Sequence, residues 1–231
     1  MKEYRFLLLD ADGTLLDFDQ DMLHAFQATY QACFGSQRPY SPRLLEIYER
    51  CNNRWWAKLE RGECTKPQLY AGRFQDFLRE TGLSGDPEEI NRAYFANLGQ
   101  GGALLPGALE LVRDLSQRYR LYIVTNGNAA SQRTRLAHSG LLPYVGDVFV
   151  SEDAGAAKPD KRYFDYVFSR IPGFEKERAL LIGDSLTSDM RGAQNGGIVG
   201  LWYCPLGGEA PEDLSIPYRA ESFDEIRRLL L

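Results

Sequence analysis

Hydrophobic residues follow two different patterns along the chain. Uninterrupted apolar runs, which are typical of strands buried on both faces of a parallel sheet, occur near the start at Phe6–Leu9 and again in the second half. Between Leu16 and about residue 98, apolar residues recur only at helical spacing, as at Leu23, Phe26, Tyr30 and Phe34. We therefore expect roughly four helices, and no strand, in the region that follows the first strand.

From Pro106 onward, helical and strand patterns alternate. The predicted strands of this half are Leu121–Val124, Val148–Val150, Ala179–Ile182 and Ile198–Trp202. Strands that alternate with helices form a parallel sheet with right-handed crossovers, so we predict an α/β fold. We assign residues 1–16 and 101–231 to the sheet domain and residues 17–100 to an inserted helical domain. The insertion follows the first strand so closely that we expect it to fold over the end of that strand as a cap.

Acidic residues follow two of the predicted strands. Asp10 and Asp12 come directly after Phe6–Leu9, where their side chains point the same way if the backbone stays extended. Asp184 follows a later strand and would lie beside them if the two strands are neighbours. Ligands bind at the carboxyl ends of strands in open α/β sheets, and Mg²⁺ prefers carboxylate oxygens. An ordinary Asp-Gly turn after a strand is the alternative explanation of the first pair.

Four short motifs occur in order along the chain. They are Asp10–Thr14, Thr125-Asn126-Gly127, Lys158-Pro159, and Gly183-Asp184 with Asp189 five residues later. Together they resemble the motifs of the haloacid dehalogenase (HAD) superfamily, in its phosphatase branch. The resemblance extends from about residue 4 to about residue 205. It implies a Rossmann-like parallel-sheet core with an inserted α-helical cap.

The resemblance also implies a role for each motif. Asp10 would be the nucleophile that forms an aspartyl-phosphate, and Asp12 would be the general acid–base. Mg²⁺ would be bound by Asp10, Asp184 and the backbone carbonyl of Asp12, which offsets the repulsion between a carboxylate and a phosphate. The phosphate-binding residues would be Thr125, Asn126, Gly127 and Lys158. Lys158 would also neutralise the nucleophile, and Asp189 would act near the metal through water or by orienting Lys158.

The predicted cap contains an aromatic segment that bears on the substrate. Trp55 and Trp56 are adjacent and cannot both face inward on one helix, so we expect one in the core and the other exposed or facing a pocket. An aromatic face can stack on a nucleobase, although packing of both rings within the cap is the simpler explanation. The segment from Trp55 to Phe74 and the run Leu7–Asp12 resemble pyrimidine 5′-nucleotidases. Gly13 departs from that resemblance, because those nucleotidases can carry Glu there.

We predict a Mg²⁺-dependent phosphomonoesterase, a hydrolase acting on phosphoric monoesters, with nucleoside 5′-monophosphates as its substrates. The alternatives are a phosphatase acting on phosphoglycolate or sugar phosphates, a phosphomutase, and a non-enzymatic HAD-fold binding protein. The second acid of the first motif, Asp12, is typical of HAD phosphatases and mutases, whereas HAD dehalogenases generally lack it. The presence of Asp12 therefore disfavours dehalogenase activity.

Composition and charge limit the kinds of partner that we expect this protein to bind. The 231 residues carry a net charge of −5, which disfavours a nucleic-acid-binding surface. No apolar run approaches the roughly 20 residues needed to span a bilayer, and Met1–Tyr4 lacks the layout of a signal peptide. The four cysteines form no CxxC pair, which indicates reduced thiols. We expect a cytoplasmic monomer or homodimer that binds a small-molecule phosphomonoester, with no nucleic acid polymer and no membrane as partner.

Overall fold

The computed structural model describes residues 3–231 of the chain. Met1 and Lys2, at the N-terminus for which no signal peptide is predicted, lie outside the described residues. The chain divides into two compact units. One comprises the described residues up to Phe18 together with Gly102–Leu231, and the other comprises Asp19–Gly101. The first unit contains the sheet, and the second unit is helical.

The first unit is built on a parallel sheet, in which residues 3–231 form six strands. They are β1 Phe6–Leu9, β2 Arg120–Thr125, β3 Asp147–Val150, β4 Ala179–Gly183, β5 Val199–Tyr203 and β6 Tyr218–Ala220. Neighbouring strands are parallel in the order β3-β2-β1-β4-β5-β6. The predicted parallel α/β sheet is therefore confirmed. The hydrophobic pattern does not predict β6, because its three residues include the exposed Arg219 and form no apolar run.

Ten α-helices lie in the described part of the chain. They are α1 Phe18–Phe34, α2 Pro42–Glu60, α3 Lys66–Thr81, α4 Pro87–Leu98, α5 Ala108–Ser116, α6 Ala129–Ser139, α7 Ser151–Ala154, α8 Lys161–Arg170, α9 Arg191–Gly196 and α10 Phe223–Leu230. There are also 3₁₀ turns at Leu142–Tyr144 and Lys176–Arg178 and a π-helical turn at Leu186–Met190. Among residues 3–231, no helix is both long and apolar enough to cross a lipid bilayer.

Helices cover both faces of the sheet because alternate strand residues point to opposite sides. On one face, Leu7 and Leu9 of β1 belong to a core that includes side chains of α5 and α10. On the other face, Phe6 and Leu8 pack with Phe164 and its neighbours in α8. All four residues of β1 are buried, and each apolar side chain removed from water in this way stabilises the fold by about 2 kcal/mol. Packing on both faces thus fixes β1 at the centre of the sheet.

The register of β1 determines what surrounds its carboxyl end. Leu9 is paired with Ile123 of β2 on one side and with Ile182 of β4 on the other. Asp10, the next residue, donates its backbone N–H to Ile182 O at 2.9 Å. The carboxyl ends of β2 and β4, which carry the second and fourth motifs, therefore flank Asp10.

Aromatic side chains fill the interior of the second unit. The buried rings are Phe26, Tyr30, Phe34, Tyr48, Phe74, Phe77 and Tyr94. At the start of α3, the Gln68 side chain accepts a hydrogen bond from Thr65 N at 2.8 Å, as the capping-box pattern predicts. Ser41 precedes α2 but makes no capping hydrogen bond, so the fixed backbone of Pro42 in the first turn defines the start of this helix.

Candidate active site

Three carboxylates meet at the carboxyl edge of the sheet. Asp10 follows β1, Asp184 follows β4, and Asp189 lies in the π-helical turn Leu186–Met190. One carboxylate oxygen from each of them lies within 4.8 Å of the other two. Asp10 is 7% exposed, and Asp189 is fully buried. Acids that are far apart along the chain are thus brought together by the order of the strands.

A buried ammonium group lies among these carboxylates. Lys158 Nζ donates to Asp10 Oδ1 at 2.5 Å and to Asp189 Oδ1 at 2.6 Å. It also donates to the backbone oxygen of Val124 at 2.9 Å, and its side chain is 1% exposed. Lys158 is therefore not a solvated surface lysine. One cation and three carboxylates leave the cluster with an excess of negative charge, which is unfavourable where the groups are shielded from water.

Burial and mutual repulsion change the ionisation of this cluster. Burial and the charge of Asp189 raise the pKa of Asp10 well above its ordinary value, although Lys158 opposes the change. Burial, and after it the charge of Asp189, raises the pKa of Asp184 to about 6. Burial by itself would lower the pKa of Lys158, but the charges of Asp10 and Asp189 outweigh it, and this pKa is raised. The lysine therefore stays charged, while Asp10 and Asp184 hold their protons more readily than free aspartate does.

The three carboxylates can bind a metal ion. Their oxygens are hard ligands that suit a hard divalent cation, and the charge of such a cation would offset the excess negative charge of the cluster. Hydrogen bonds orient two of the acids. Thr14 Oγ1 donates to Asp184 Oδ1 at 2.9 Å, and Ser185 N donates to Asp189 Oδ2 at 3.1 Å. Both the type of the donor atoms and their total charge therefore fit a divalent cation.

The carboxylate of Asp12 has different partners from that of Asp10. The backbone turns after Ala11, whose carbonyl accepts hydrogen bonds from Leu15 N at 2.9 Å and Leu16 N at 2.8 Å. Two side chains of α6 contact the Asp12 carboxylate. Arg135 Nη1 donates to Asp12 Oδ1 at 2.6 Å, and Gln132 Nε2 donates to Asp12 Oδ2 at 2.5 Å.

Thr125, at the end of β2, accepts two hydrogen bonds through its hydroxyl oxygen. The donors are Gly127 N at 3.1 Å and Gln132 Nε2 at 2.8 Å. A hydroxyl has two acceptor lone pairs and one donor hydrogen, so the O–H of Thr125 is left to donate. An added Cβ at Gly127 would lie 2.4 Å from Gln132 Nε2, and glycine is therefore required for this close approach. Asn126, between them, pairs through its side-chain amide with the backbone of Lys158.

The two tryptophans of α2 are both half-buried, so neither ring lies fully in the core, and a ring that faces a pocket stays a prediction. Trp55 Nε1 donates to Asp76 Oδ2 of α3 at 2.9 Å. An added Cβ at Gly72 would lie 2.2 Å from Trp55 Cζ2, which shows how closely this ring packs on α3. The hydrogen bond to Asp76 and the close contact with Gly72 both join Trp55 to α3. Its contacts are those of a packing residue.

The sequence profile of the haloacid dehalogenase-like hydrolases matches residues 4–197 of the chain. The chain belongs to this family of hydrolases. Family membership confirms the predicted HAD identity and the prediction that the protein is a hydrolase. The order of the strands confirms the fold class that the HAD resemblance implies.

Relatives of this HAD-like hydrolase match it over nearly its full length. The HAD-hydrolase YfnB of Bacillus subtilis is 38% identical over 231 residues, which covers 100% of this chain and 97% of the relative. The crystal structure of YfnB bound to magnesium matches the fold with a TM-score of 0.93 and 37% identity, and the match covers 99% of each chain. Structure and sequence thus indicate the same relationship.

Two further relatives of the HAD-like hydrolase carry the name of a nucleotidase. Pyrimidine 5′-nucleotidase PynA of Streptococcus pneumoniae is 36% identical over 225 residues, which covers 96% of this chain and 93% of the relative. Pyrimidine 5′-nucleotidase YjjG of Escherichia coli is 28% identical over 228 residues, which covers 99% of this chain and 98% of the relative.

Sequence reasoning missed Gln132 and Arg135 of this HAD-like hydrolase. Both lie on α6, three residues apart, and each is only 1% exposed. The buried residues of α6 are Ser131, Gln132, Arg135, Leu136 and Ser139. An inward face that contains four polar residues and one leucine is a signal of a polar site. The sequence predicts the helix, but without its neighbours it does not show which polar positions face inward.

Proposed function

We propose that this HAD-like hydrolase is a Mg²⁺-dependent phosphomonoesterase that hydrolyses nucleoside 5′-monophosphates through an aspartyl-phosphate on Asp10. The observation that carries the proposal is the position of Asp10. It is buried at the end of β1, contacts the Lys158 ammonium, and belongs to the cluster of three carboxylates. The similarity to PynA and YjjG, both named as pyrimidine 5′-nucleotidases, supports the choice of nucleotides.

In the first step, Asp10 attacks the phosphorus of the ester. The bond between Asp10 and phosphorus forms as the bond to the leaving oxygen breaks. Lys158 offsets the charge on Asp10 and on the transferring phosphoryl group, and Thr125 donates its hydroxyl hydrogen to a phosphoryl oxygen. Mg²⁺ would be held by Asp10, Asp184 and the backbone carbonyl of Asp12, with its charge lowering the repulsion between carboxylate and phosphate.

Asp12 transfers the protons of the reaction. It gives a proton to the leaving oxygen, so that the nucleoside departs as a neutral alcohol. Asp12 is then a carboxylate and takes a proton from the water that attacks the phosphorus of the aspartyl-phosphate. The bond between Asp10 and phosphorus breaks, Asp10 returns to its carboxylate form, and inorganic phosphate is released.

Phosphate release tests this proposal. With Mg²⁺, the purified protein should release phosphate from UMP and dTMP faster than from sugar phosphates and phosphoglycolate, and chelation should stop the release. Asp10→Asn should lower the rate by about 10³-fold or more, because an amide cannot serve as the nucleophile. Asp165→Asn is a matched control on the exposed side of α8 and should keep the wild-type rate. Full turnover by Asp10→Asn would contradict the proposal.

Gly13 favours a second candidate, a phosphatase that acts on phosphoglycolate or sugar phosphates. Pyrimidine 5′-nucleotidases that this chain resembles can carry Glu at this position, whereas glycine is ordinary in other HAD phosphatases. The same set of substrates separates the two candidates. A higher kcat/KM for phosphoglycolate or a sugar phosphate than for UMP would favour the second, and an isomerised sugar phosphate in place of free phosphate would indicate a mutase.

A further inference from the structure

Two buried side chains of α6 hold the carboxylate of Asp12 by both of its oxygens. Arg135 Nη1 lies 2.6 Å from Oδ1, and Gln132 Nε2 lies 2.5 Å from Oδ2. The side chain of Asp12 is 25% exposed, whereas that of Arg135 is 1% exposed. Because each oxygen has its own donor, the carboxylate cannot rotate without losing a hydrogen bond.

The donors are themselves fixed in place. Gln132 Oε1 accepts a hydrogen bond from Arg135 Nη1 at 3.1 Å, which the spacing of three residues on one helix allows. Gln132 Nε2 also donates to Thr125 Oγ1 at 2.8 Å. Asp12 and Thr125 therefore share one donor group, and the orientation of one is tied to the position of the other.

Packing alone does not explain an arginine at position 135. An ion pair with a buried guanidinium stabilises a fold no better, in general, than apolar residues of similar volume. Leu136, the next residue, already supplies an apolar side chain to the core. Arg133, on the same helix, shows the ordinary surface arrangement, in which an exposed arginine pairs with Asp153. The buried charge of Arg135 is thus explained by its contact with the Asp12 carboxylate and not by packing.

We infer that Arg135 and Gln132 are positioning residues that fix Asp12 for proton transfer to the leaving oxygen. This inference rests on the proposed function, in which Asp12 is the general acid. The two residues act through Asp12 by holding its carboxyl group in a single orientation. As the phosphorus–oxygen bond breaks, its electron pair goes to the leaving oxygen, and that oxygen receives the proton from Asp12. A fixed carboxyl group delivers the proton without a prior rotation.

The leaving group provides the test. The 5′ oxygen of UMP is a poor leaving group and needs the proton, whereas p-nitrophenolate is a stable anion that leaves without one. kcat/KM reports only the steps up to and including phosphoryl transfer. It therefore measures the need for this proton without the later hydrolysis of the aspartyl-phosphate. Arg135→Gln should lower kcat/KM for UMP by about 10- to 100-fold, through kcat rather than KM, and should change the value for p-nitrophenyl phosphate far less. Arg135→Lys, which keeps a charged donor, should recover part of the loss.

Three further variants complete the experiment. Arg133→Gln, the same change on the exposed side of α6, should leave both kcat/KM values unchanged. In the background of Asp12→Asn, Arg135→Gln should add no further loss for UMP, because its effect passes through Asp12. Gln132→Met keeps the length of the side chain and tests the same role at the other oxygen of Asp12, should Arg135→Gln fail to fold.

Two results would overturn the positioning role. One is an equal fall of kcat/KM for UMP and p-nitrophenyl phosphate in both Arg135→Gln and Gln132→Met. The other is an undiminished effect of Arg135→Gln in the Asp12→Asn background. A wild-type protein that hydrolyses neither ester contradicts the proposed function itself. An active wild type in which the ratio of the two kcat/KM values does not respond to these variants contradicts only the positioning role.

Discussion

Asn126 and Lys158 are joined by a reciprocal pair of hydrogen bonds. Asn126 Nδ2 donates to Lys158 O at 2.8 Å, and Lys158 N donates to Asn126 Oδ1, also at 2.8 Å. A side-chain amide that donates to the C=O and accepts from the N–H of one residue fixes both the position and the direction of that backbone segment. The second motif thereby locates the start of the Lys158 side chain, whose ammonium group reaches Asp10.

Loss of this pairing should impair the reaction more than the binding of substrate. Asn126→Ala removes both hydrogen bonds, and a small displacement of the Lys158 ammonium is expected to lower kcat for UMP by about 10- to 100-fold with a smaller change in KM. Steady-state kinetics with UMP measures both constants. Asn195→Ala is the control, because the exposed Asn195 donates to the neighbouring Pro159 O at 2.9 Å. Equal losses in the two variants would contradict a specific role for Asn126.

Asp184 should make the stability of the metal-free protein depend on pH. Burial, and after it the charge of Asp189, raises its pKa from 3.8 to about 6. Between these values the folded protein keeps a proton that the unfolded chain has lost. The contribution of Asp184 to the free energy of unfolding therefore falls as pH rises through this window, and the decrease is complete above the folded-state pKa. Asp184→Asn cannot titrate and lacks this decrease.

Urea unfolding with a chelator at several pH values measures the effect. From pH 4 to pH 7, the wild type should lose on the order of 2 kcal/mol of stability relative to Asp184→Asn. Saturating Mg²⁺ should reverse the trend for the wild type, because the cation binds the ionised carboxylate and its affinity rises with pH. Parallel pH dependences of the two metal-free proteins would contradict the raised pKa of Asp184.

The sequence predicts the parts of the site that depend on strand ends. Asp10 follows four apolar residues in a row, and such a run predicts a central strand of a parallel sheet. Asp184 follows a second run of this kind, and the two strands are indeed neighbours, with Leu9 paired to Ile182. The hydrophobic pattern and the order of the strands are enough to place Asp10 and Asp184, because each of these residues directly follows the end of a strand.

The surroundings of Asp12 could not be predicted in this way. Its partners depend on the turn after Ala11 and on which face of α6 packs toward that turn. In the sequence, Gln132 and Arg135 are ordinary polar residues of a helix with few apolar positions. The helical spacing of apolar residues, which usually marks the inward face of a helix, is therefore absent. Such contacts between distant segments follow from the packing of whole elements and not from any local pattern.

The charge of Lys158 should be required for both activity and stability. Lys158→Met leaves Asp10 and Asp189 without their buried cation, and loss of one partner of a buried ion pair costs about 3–5 kcal/mol. We expect phosphate release to become undetectable and the free energy of unfolding at pH 7 to fall by about this amount. Because the pKa of Asp10 is raised and a protonated carboxyl group needs no counter-charge, the loss of stability should shrink as pH is lowered.

Chemical unfolding at pH 7 and pH 5 measures the effect of Lys158→Met. Lys161→Met is the control, because Lys161 forms an exposed pair with Asp165, and such pairs contribute less than about 1 kcal/mol. A Lys158→Met protein that is as stable as Lys161→Met at pH 7 would show that the buried acids do not depend on this cation.

Gly13 should control the position of Asp184 and thereby the affinity for Mg²⁺. Gly13 has a φ of 80°, and an added Cβ would lie 2.7 Å from Asp184 Oδ2. Gly62 has a φ of 73°, but an added Cβ there would meet nothing within 4 Å. Alanine in this left-handed region costs about 1 kcal/mol or more, so Gly13→Ala and Gly62→Ala should both lose stability.

Only Gly13→Ala should also affect the metal, because the new methyl group must displace the carboxylate of Asp184. Disturbing the orientation of a metal ligand typically weakens metal affinity by about 10- to 100-fold, and we expect a weakening of this size for Mg²⁺. The dependence of phosphate release on Mg²⁺ concentration measures the affinity, and calorimetric titration of the unreacted protein provides an independent value. Since Gly62→Ala carries the same backbone penalty without the contact, equal Mg²⁺ affinities in the two variants would mean that residue 13 does not set the position of Asp184.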